Sequence, residues 1–294
     1  MAGWSESSRR SLGSSADALG LSAAAFALLR DLIAERTGIF FDDAKRDLLA
    51  DKLAALVAAR GLASFLDYYY LLRYDADAER HWAELVDRLS VPETFFWRQP
   101  EHFDALANDI VPRQVAERPG APLRIWSAAC CSGEEPISVA IALAEAGWLD
   151  RTPIEIDASD ASPAMIARAR RGIYGERSFM NLPPALRDKY FRREADGWHV
   201  EPGLHGRIRW TVANLVNPDE AGPLATAHVI FCRNVFIYFS TVGIERVVRL
   251  FAERMPPCGH LFLGAAESLV RVESAFELRE TGRAFVYVKR GAGR

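Results

Sequence analysis

The stretch Phe231-Cys232-Arg233-Asn234-Val235-Phe236-Ile237-Tyr238-Phe239 decides how this chain is read, because it begins as a buried strand and breaks into polar chemistry. Its lead-in, Ala227-His228-Val229-Ile230-Phe231, is short, apolar and β-branched, as a strand covered on both faces should be. An arginine, an asparagine and a tyrosine follow at once. In open α/β sheets the carboxyl ends of parallel strands face a crevice, so polar side chains placed there can reach a bound molecule while the strand holds them rigid. Taken alone, the same residues also describe a strand end with a satisfied asparagine and an interfacial tyrosine.

Outward from this stretch, short apolar runs alternate with helical periods. Leu123-Arg124-Ile125-Trp126 precedes a helix expected from Glu134 to Gly147, and Ile154-Glu155-Ile156 precedes one from Pro163 to Arg171. The central strand precedes a helix near Thr241 to Arg254, with strands expected at His260 to Gly264 and Phe285 to Val288. This alternation predicts an α/β domain with a doubly wound, mainly parallel sheet covered by helices on both faces. Between Tyr190 and Trp210 the pattern changes. Lys189-Tyr190-Phe191-Arg192-Arg193, Trp198-His199-Val200 and Arg207-Ile208-Arg209-Trp210-Thr211-Val212 alternate polar with apolar, separated by Asp196-Gly197 and Gly203 to Gly206. They predict a small antiparallel β insertion over about 187–212, either a partner-recognition piece or an ordered loop.

Toward the amino terminus the period is helical throughout. Residues 1–20, rich in Ser, Gly and Ala, cannot bury enough apolar surface to order themselves and read as a disordered tail. Ser22 caps a helix from Ala23 to Arg36 with Gly38 past its end, a second runs from about Asp43 to Arg60, and Ser64 and Asp77 cap a third and a fourth. Residues 21–90 thus form a small helical bundle. Pro92 and Pro100 bracket a joint over 91–100, and the sheet domain occupies 101–294.

The chain has 294 residues, 50% of them hydrophobic, which is ample for a sizeable core. A formal net charge of −3 gives no global drive toward nucleic acid or anionic membrane, so no nucleic-acid partner is expected. No apolar run approaches the roughly 18 residues that span a bilayer, which excludes membrane insertion and makes a cytoplasmic location the default. The cysteines, Cys130, Cys131, Cys232 and Cys258, lack metal-ligand spacing and read as small buried thiols, with no metal site.

The first strand-to-helix turn, Ser127-Ala128-Ala129-Cys130-Cys131-Ser132-Gly133-Glu134-Glu135-Pro136, has neither a dinucleotide nor a P-loop pattern. Glu134 and Glu135 at a helix start would repel a pyrophosphate. A carboxylate there suits a cation instead, such as the amino group or sulfonium of S-adenosylmethionine; the alternative is favourable charge at a helix N-terminus. After the second strand, Asp160 is placed to accept hydrogen bonds from a ribose diol, or to cap the next helix.

With these pieces in place the chain resembles the chemotaxis receptor glutamate methyltransferases, the CheR family, from about Leu21 to Lys289. The resemblance rests on Glu93-Thr94-Phe95-Phe96-Trp97-Arg98, Cys131-Ser132-Gly133-Glu134-Glu135-Pro136, Ala158-Ser159-Asp160, Ala169-Arg170-Arg171-Gly172-Ile173-Tyr174, Asn214-Leu215 and the opening stretch. It implies a small all-α domain followed by a Rossmann-like methyltransferase domain with a β insertion. It further implies that Thr94 and Arg98 contact the cofactor, S-adenosylmethionine, from the joint, Glu134 its methionine end and Asp160 its ribose. Asn214, Leu215, Asn234 and Val235 would meet the adenosine and the sheet edge, and Arg98 and Tyr238 the transferred methyl. The reaction implied is attack of a glutamate carboxylate on the sulfonium methyl, giving a glutamyl methyl ester and S-adenosylhomocysteine. The partner implied is an acidic, glutamate-bearing signalling protein such as a chemoreceptor, with the β insertion available to dock a peptide.

The match thins at two places. Pro92 stands where chemotaxis members have an asparagine, which removes a side-chain amide and a backbone N–H from the joint. The second helix, whose basic face is thought to meet receptors in the family, interleaves Lys45, Arg46, Lys52 and Arg60 with Asp42, Asp43, Asp47 and Asp51. The stronger basic patch is Arg168, Arg170, Arg171, Arg177, Arg187, Lys189, Arg192 and Arg193, beside the insertion. Other acceptors, such as a small carboxylate metabolite, and a non-catalytic module sensing S-adenosylmethionine or S-adenosylhomocysteine stay open as alternatives. Nucleic-acid methylation ranks last.

Overall fold

The computed structural model describes residues 20–270, 272 and 275–291; apart from Gly20, the tail expected over 1–20 lies outside the described residues. The chain divides into two compact units, one ending at Ser90 and the other beginning at Val91.

In the first unit, helices Ala23–Thr37, Arg46–Ala59, Phe65–Tyr74 and Ala78–Leu89 follow one another. Ser22 Oγ accepts from the Ala25 N–H at 3.2 Å and Ser64 Oγ from the Asp67 N–H at 3.1 Å, satisfying donors that a helix start leaves open. Gly38, at φ 80°, ends the first helix in the left-handed conformation that glycine adopts without steric cost. Two expectations are corrected. The second helix starts as a 3₁₀ turn, Asp43–Lys45, and becomes α-helical only at Arg46, while Asp77 occupies the cap position without a side-chain cap bond. Apolar faces meet at Phe26, Leu29, Ile33, Leu53, Val57 and Trp82. The fully buried Leu29, Ile33 and Leu53 each stabilise the unit by roughly 1.5–3 kcal/mol.

The described residues of the second unit form ten strands: β1 Leu123–Ala128, β2 Ile154–Asp160, β3 Ile173–Tyr174, β4 Phe191–Glu194, β5 Gly197–Val200, β6 Ile208–Val212, β7 Val229–Cys232, β8 His260–Phe262, β9 Phe276–Thr281 and β10 Ala284–Lys289. Seven form one sheet in the order β6-β2-β1-β7-β8-β10-β9, parallel from β6 through β8, with β10 antiparallel to both its neighbours. Neighbouring strand residues enter different cores. Ile125 and Phe231 pack with Phe96, Phe103 and Ile137, while Trp126 and Ile230 pack with Val247 and Phe251. A sheet covered on both faces requires this, and it is why its strands read as continuous apolar runs. Among the described residues no helix is long and apolar enough to cross a membrane.

The remaining strands form a small antiparallel sheet in the order β3-β5-β4. Its boundaries correct the expected insertion over 187–212. Ile208–Val212 belongs to the large sheet, where Ile208 pairs in parallel with Ile156 and Val212 with Asp160, and Ile173–Tyr174 takes the third place in the small one. The polar-apolar alternation of β6 arises because it is an edge strand with Arg209 and Thr211 exposed, a pattern indistinguishable by period from an antiparallel insertion. The edge strand β9 was not expected at all, since Glu277, Arg279 and Glu280 dilute its apolar signal.

The chain leaves β1 toward β2 and β6 on one side and returns to β7 on the other. The strand order therefore reverses between β1 and β7, and the crevice at their carboxyl ends is where this fold class places ligands.

Candidate active site

Beyond β1 the backbone turns sharply, with Ala129 at φ 61°, Cys131 at φ 51° and Gly133 at φ 98°. A Cβ on Gly133 would lie 2.8 Å from Trp210 Cη2 and 3.0 Å from Ala169 Cβ, so only glycine fits. The turn is tied to β2, because the Cys131 N–H donates to Asp160 Oδ2 at 2.9 Å. Asp160 Oδ1 accepts from the Ser162 N–H at 2.9 Å, and it is Ser162 that caps the helix Pro163–Arg171. Asp160 is thus not that helix's cap.

Glu134 opens the helix Glu134–Glu145 and is buried, accepting from Ser132 Oγ at 2.8 Å and from Ser178 Oγ at 3.0 Å. Burial raises its pKa above the usual carboxylate value, against the Ser132 and Ser178 hydrogen bonds and the charge of Arg168. Among the described residues no cation forms an ion pair with it. A buried carboxylate held by hydroxyls and in no ion pair among the described residues suits a positively charged ligand. Its neighbour Glu135 is differently occupied, by Ser127 Oγ at 2.6 Å and Arg233 Nη1 at 3.2 Å.

The segment 91–99 runs beside this helix. Pro92 sits at the centre of a three-residue turn closed by the Glu93 N–H on Val91 O at 2.8 Å, a place that needs no N–H from the proline. Phe96 N–H donates to Ser178 O at 2.8 Å and Trp97 N–H to Ser138 Oγ at 3.0 Å. Thr94 is half-buried. Arg98 donates to Glu93 O at 3.1 Å and lies 5.3 Å from the centre of the Phe95 ring. Burial raises the Tyr238 phenol above its ordinary pKa, Glu93 acts in the same direction and Arg98 opposes them, so Arg98, Glu93 and Tyr238 share one electrostatic neighbourhood.

After β7, Asn234 takes the left-handed conformation at φ 60°. One carboxylate holds it there: Glu267 accepts from the N–H groups of Asn234 at 2.7 Å, Phe236 at 2.7 Å and Gly264 at 2.6 Å. Val235 is half-buried beside the second core. At the end of β6, Asn214 Oδ1 accepts from the Val216 N–H at 3.2 Å, and the Leu215 side chain is buried in the core, leaving only its backbone for a ligand.

Every sequence-predicted site residue therefore lies in the joint, or at or soon after the carboxyl end of β1, β2, β6 or β7, with the Leu215 side chain turned into the apolar core. Sequence reasoning missed Ser178, Glu267 and the part played by Arg233. Arg233 carried a signal, since an arginine directly after a buried run must find buried partners. Ser178 and Glu267 carried none, being single polar residues in a short 3₁₀ turn and a loop.

Family models match both units: residues 24–90 match the CheR methyltransferase all-alpha domain, and residues 92–285 its SAM binding domain. Chemotaxis protein methyltransferase 2 of Vibrio cholerae is 36% identical over 272 residues, covering 92% of this chain and 94% of that protein. Chemotaxis protein methyltransferase of Escherichia coli is 34% identical over 268 residues, 89% of this chain and 90% of that one. A probable biofilm formation methyltransferase, WspC of Pseudomonas putida, is 30% identical over 256 residues, 87% of this chain and 59% of that longer protein.

Proposed function

Because the chain belongs to the CheR methyltransferase family and is an S-adenosylmethionine-dependent methyltransferase, we propose that the crevice between β1 and β7 holds the cofactor and that the acceptor is a glutamate side chain of a chemoreceptor. The observation that carries the cofactor assignment is Glu134, a buried carboxylate held by two serine hydroxyls and in no ion pair among the described residues. Its place is taken up by the cofactor's ammonium. Asp160 receives the ribose hydroxyls, Thr94 and Arg98 contact the cofactor from the joint, and Asn214, Leu215, Asn234 and Val235 border the adenosine.

The bound cofactor supplies a methyl group activated by the sulfonium: a carboxylate oxygen forms the new C–O bond as the S–CH₃ bond breaks, and the electron pair stays on sulfur. An acceptor carboxylate is ionised at pH 7, so no general base is needed. The protein's part is positioning. Arg98 orients the acceptor carboxylate through its planar fork, and Tyr238, whose phenol feels the Arg98 charge, holds the reacting groups.

The small antiparallel sheet is the part of the proposal that concerns the partner. Arg187 lies 4.4 Å and Arg193 5.6 Å from the ring centre of Trp198, while Arg177 and Arg192 form no ion pair among the described residues. Such an aromatic and basic face suits a short acidic peptide from the receptor. The cytoplasmic location expected from the sequence belongs to the same reading.

Calorimetric titration with S-adenosylhomocysteine tests the cofactor site. Micromolar binding by the native chain, weakened about 10- to 100-fold in both Glu134→Ala and Asp160→Ala, is the expected result. Unchanged affinity in both variants sinks the assignment. Methanol released by mild base from a methylated receptor fragment identifies the ester, and a base-stable product rules out carboxyl transfer.

A further inference from the structure

Arg98 sits between two residues in a conformation that non-glycine residues rarely adopt, Trp97 at φ 62° and Gln99 at φ 60°. Such strain persists only where the surroundings over-determine it. Two anchors do so. On one side the Trp97 N–H donates to Ser138 Oγ at 3.0 Å, and that hydroxyl donates to Glu134 O at 2.7 Å. On the other, Arg233 Nη2 donates to Arg98 O and, at 2.9 Å, to Gln99 Oε1, while its Nη1 reaches Glu135 Oε2 at 3.2 Å. Both anchors lead back to the first turn of one helix, that of Glu134 and Glu135.

The Arg233 side chain is 1% exposed, with its guanidinium 5.6 Å from the centre of the Phe103 ring. Burying an arginine is costly, and neutralising Glu135 would need only one point charge. The second arm of the fork goes instead to the carbonyl oxygen of Arg98 itself and to the side-chain oxygen of Gln99. A lysine could satisfy Glu135 but could not span both sets of acceptors.

We propose that Arg233 is a positioning residue for methyl transfer, clamping the strained Trp97–Gln99 segment to Glu135 so that Arg98 is presented to the acceptor carboxylate in a single orientation. This rests on the role given to Arg98 above.

The test compares native chain, Arg233→Lys, and the double variant Arg233→Met with Glu135→Met, which removes both buried charges together and keeps the site apolar. The acceptor is a purified cytoplasmic chemoreceptor fragment that the native chain methylates. Steady-state kinetics are measured beside S-adenosylhomocysteine affinity and thermal midpoint. Both variants are expected to lose kcat by about 10- to 100-fold, the size of effect that misplacing a reacting group produces, with cofactor affinity within about fivefold of native. If kcat is retained in either folded variant, or falls only in step with cofactor binding, Arg233 is structural and the proposal is overturned. A native chain that neither binds S-adenosylhomocysteine nor methylates any fragment overturns the reading of the site, and this proposal with it.

Discussion

The loops at the carboxyl ends of β1, β2 and β7 and the small sheet of β3, β5 and β4 draw on the same charged residues and use them in opposite ways. Around the crevice the carboxylates are largely withdrawn from solvent and closely partnered: Glu135 meets Arg233, and Glu267 accepts from three backbone N–H groups. In the small sheet they are largely exposed, as in the Arg193–Glu176 pair at 3.2 Å with side chains 53% and 64% exposed. Desolvated charge costs stability unless fully satisfied, so the crevice is expensive to build and rigid once built. Surface charge costs little and contributes little to stability, yet it sets which partners approach and how fast. Under the function proposed above, the crevice would hold the chemistry and the small sheet would be free to vary with the partner.

Substitution tests that contrast, and the largest effect is expected at the turn after β1. Gly133→Ala places a methyl against Trp210 and Ala169 and forces a left-handed alanine. A loss of roughly 2–4 kcal/mol in denaturant unfolding is expected; a loss below about 0.5 kcal/mol, the range of ordinary surface changes, would show that the turn adapts and that the crevice is less rigid than argued.

A second, pH-dependent effect is expected at Glu134. Because burial raises its folded pKa, the folded state holds its proton more tightly than the unfolded state does. The stability this contributes is fully present below the unfolded value, about 4.5, and is lost as pH rises through the folded pKa. Without ligand, Glu134→Gln should therefore be more stable than the native chain at pH 7.5, and the difference should close at pH 4. With S-adenosylhomocysteine present the order at pH 7.5 should reverse. Thermal midpoints at the two pH values decide it, and a variant less stable than native at pH 7.5 without ligand contradicts the picture of a carboxylate awaiting a cation.

The smallest effect is expected on the other side of the comparison. Arg193→Ala should change stability by less than about 1 kcal/mol while weakening association with a receptor fragment, and the weakening should fade as salt is raised. If it destabilises the fold as much as Gly133→Ala does, the small sheet belongs with the rigid part of the molecule.

How far the sequence led differs from element to element. The caps at Ser22 and Ser64 and the stop at Gly38 are local events, the first two settled by a serine hydroxyl accepting a backbone N–H three residues on and the last by the Gly38 N–H on Ala34 O, and they are where the sequence places them. The strands β1, β2 and β7 were legible because burial on both faces leaves a continuous apolar run. At the sheet's edges that signal fails: β6 alternated like an insertion strand, and β9, with Glu277, Arg279 and Glu280, did not read as a strand. Which strand pairs with which depends on contacts between residues far apart in the chain, as between Ile208 and Ile156.

The site divides along the same line. By itself the sequence determined the alternation that makes a doubly wound sheet and the break between the two prolines, and it nominated Glu134, Asp160 and Tyr238 because they fall at or soon after strand ends and helix starts. Only the tertiary structure decided that Glu134 meets the hydroxyls of Ser132 and Ser178 while Glu135 pairs with Arg233, that Ser162 and not Asp160 caps the next helix, and that Glu267 holds the Asn234 turn. The physical reason is that desolvation and pairing are properties of neighbours brought together by folding. Two adjacent glutamates with the same local sequence acquire different work only when Ser178 arrives at one and Arg233 at the other.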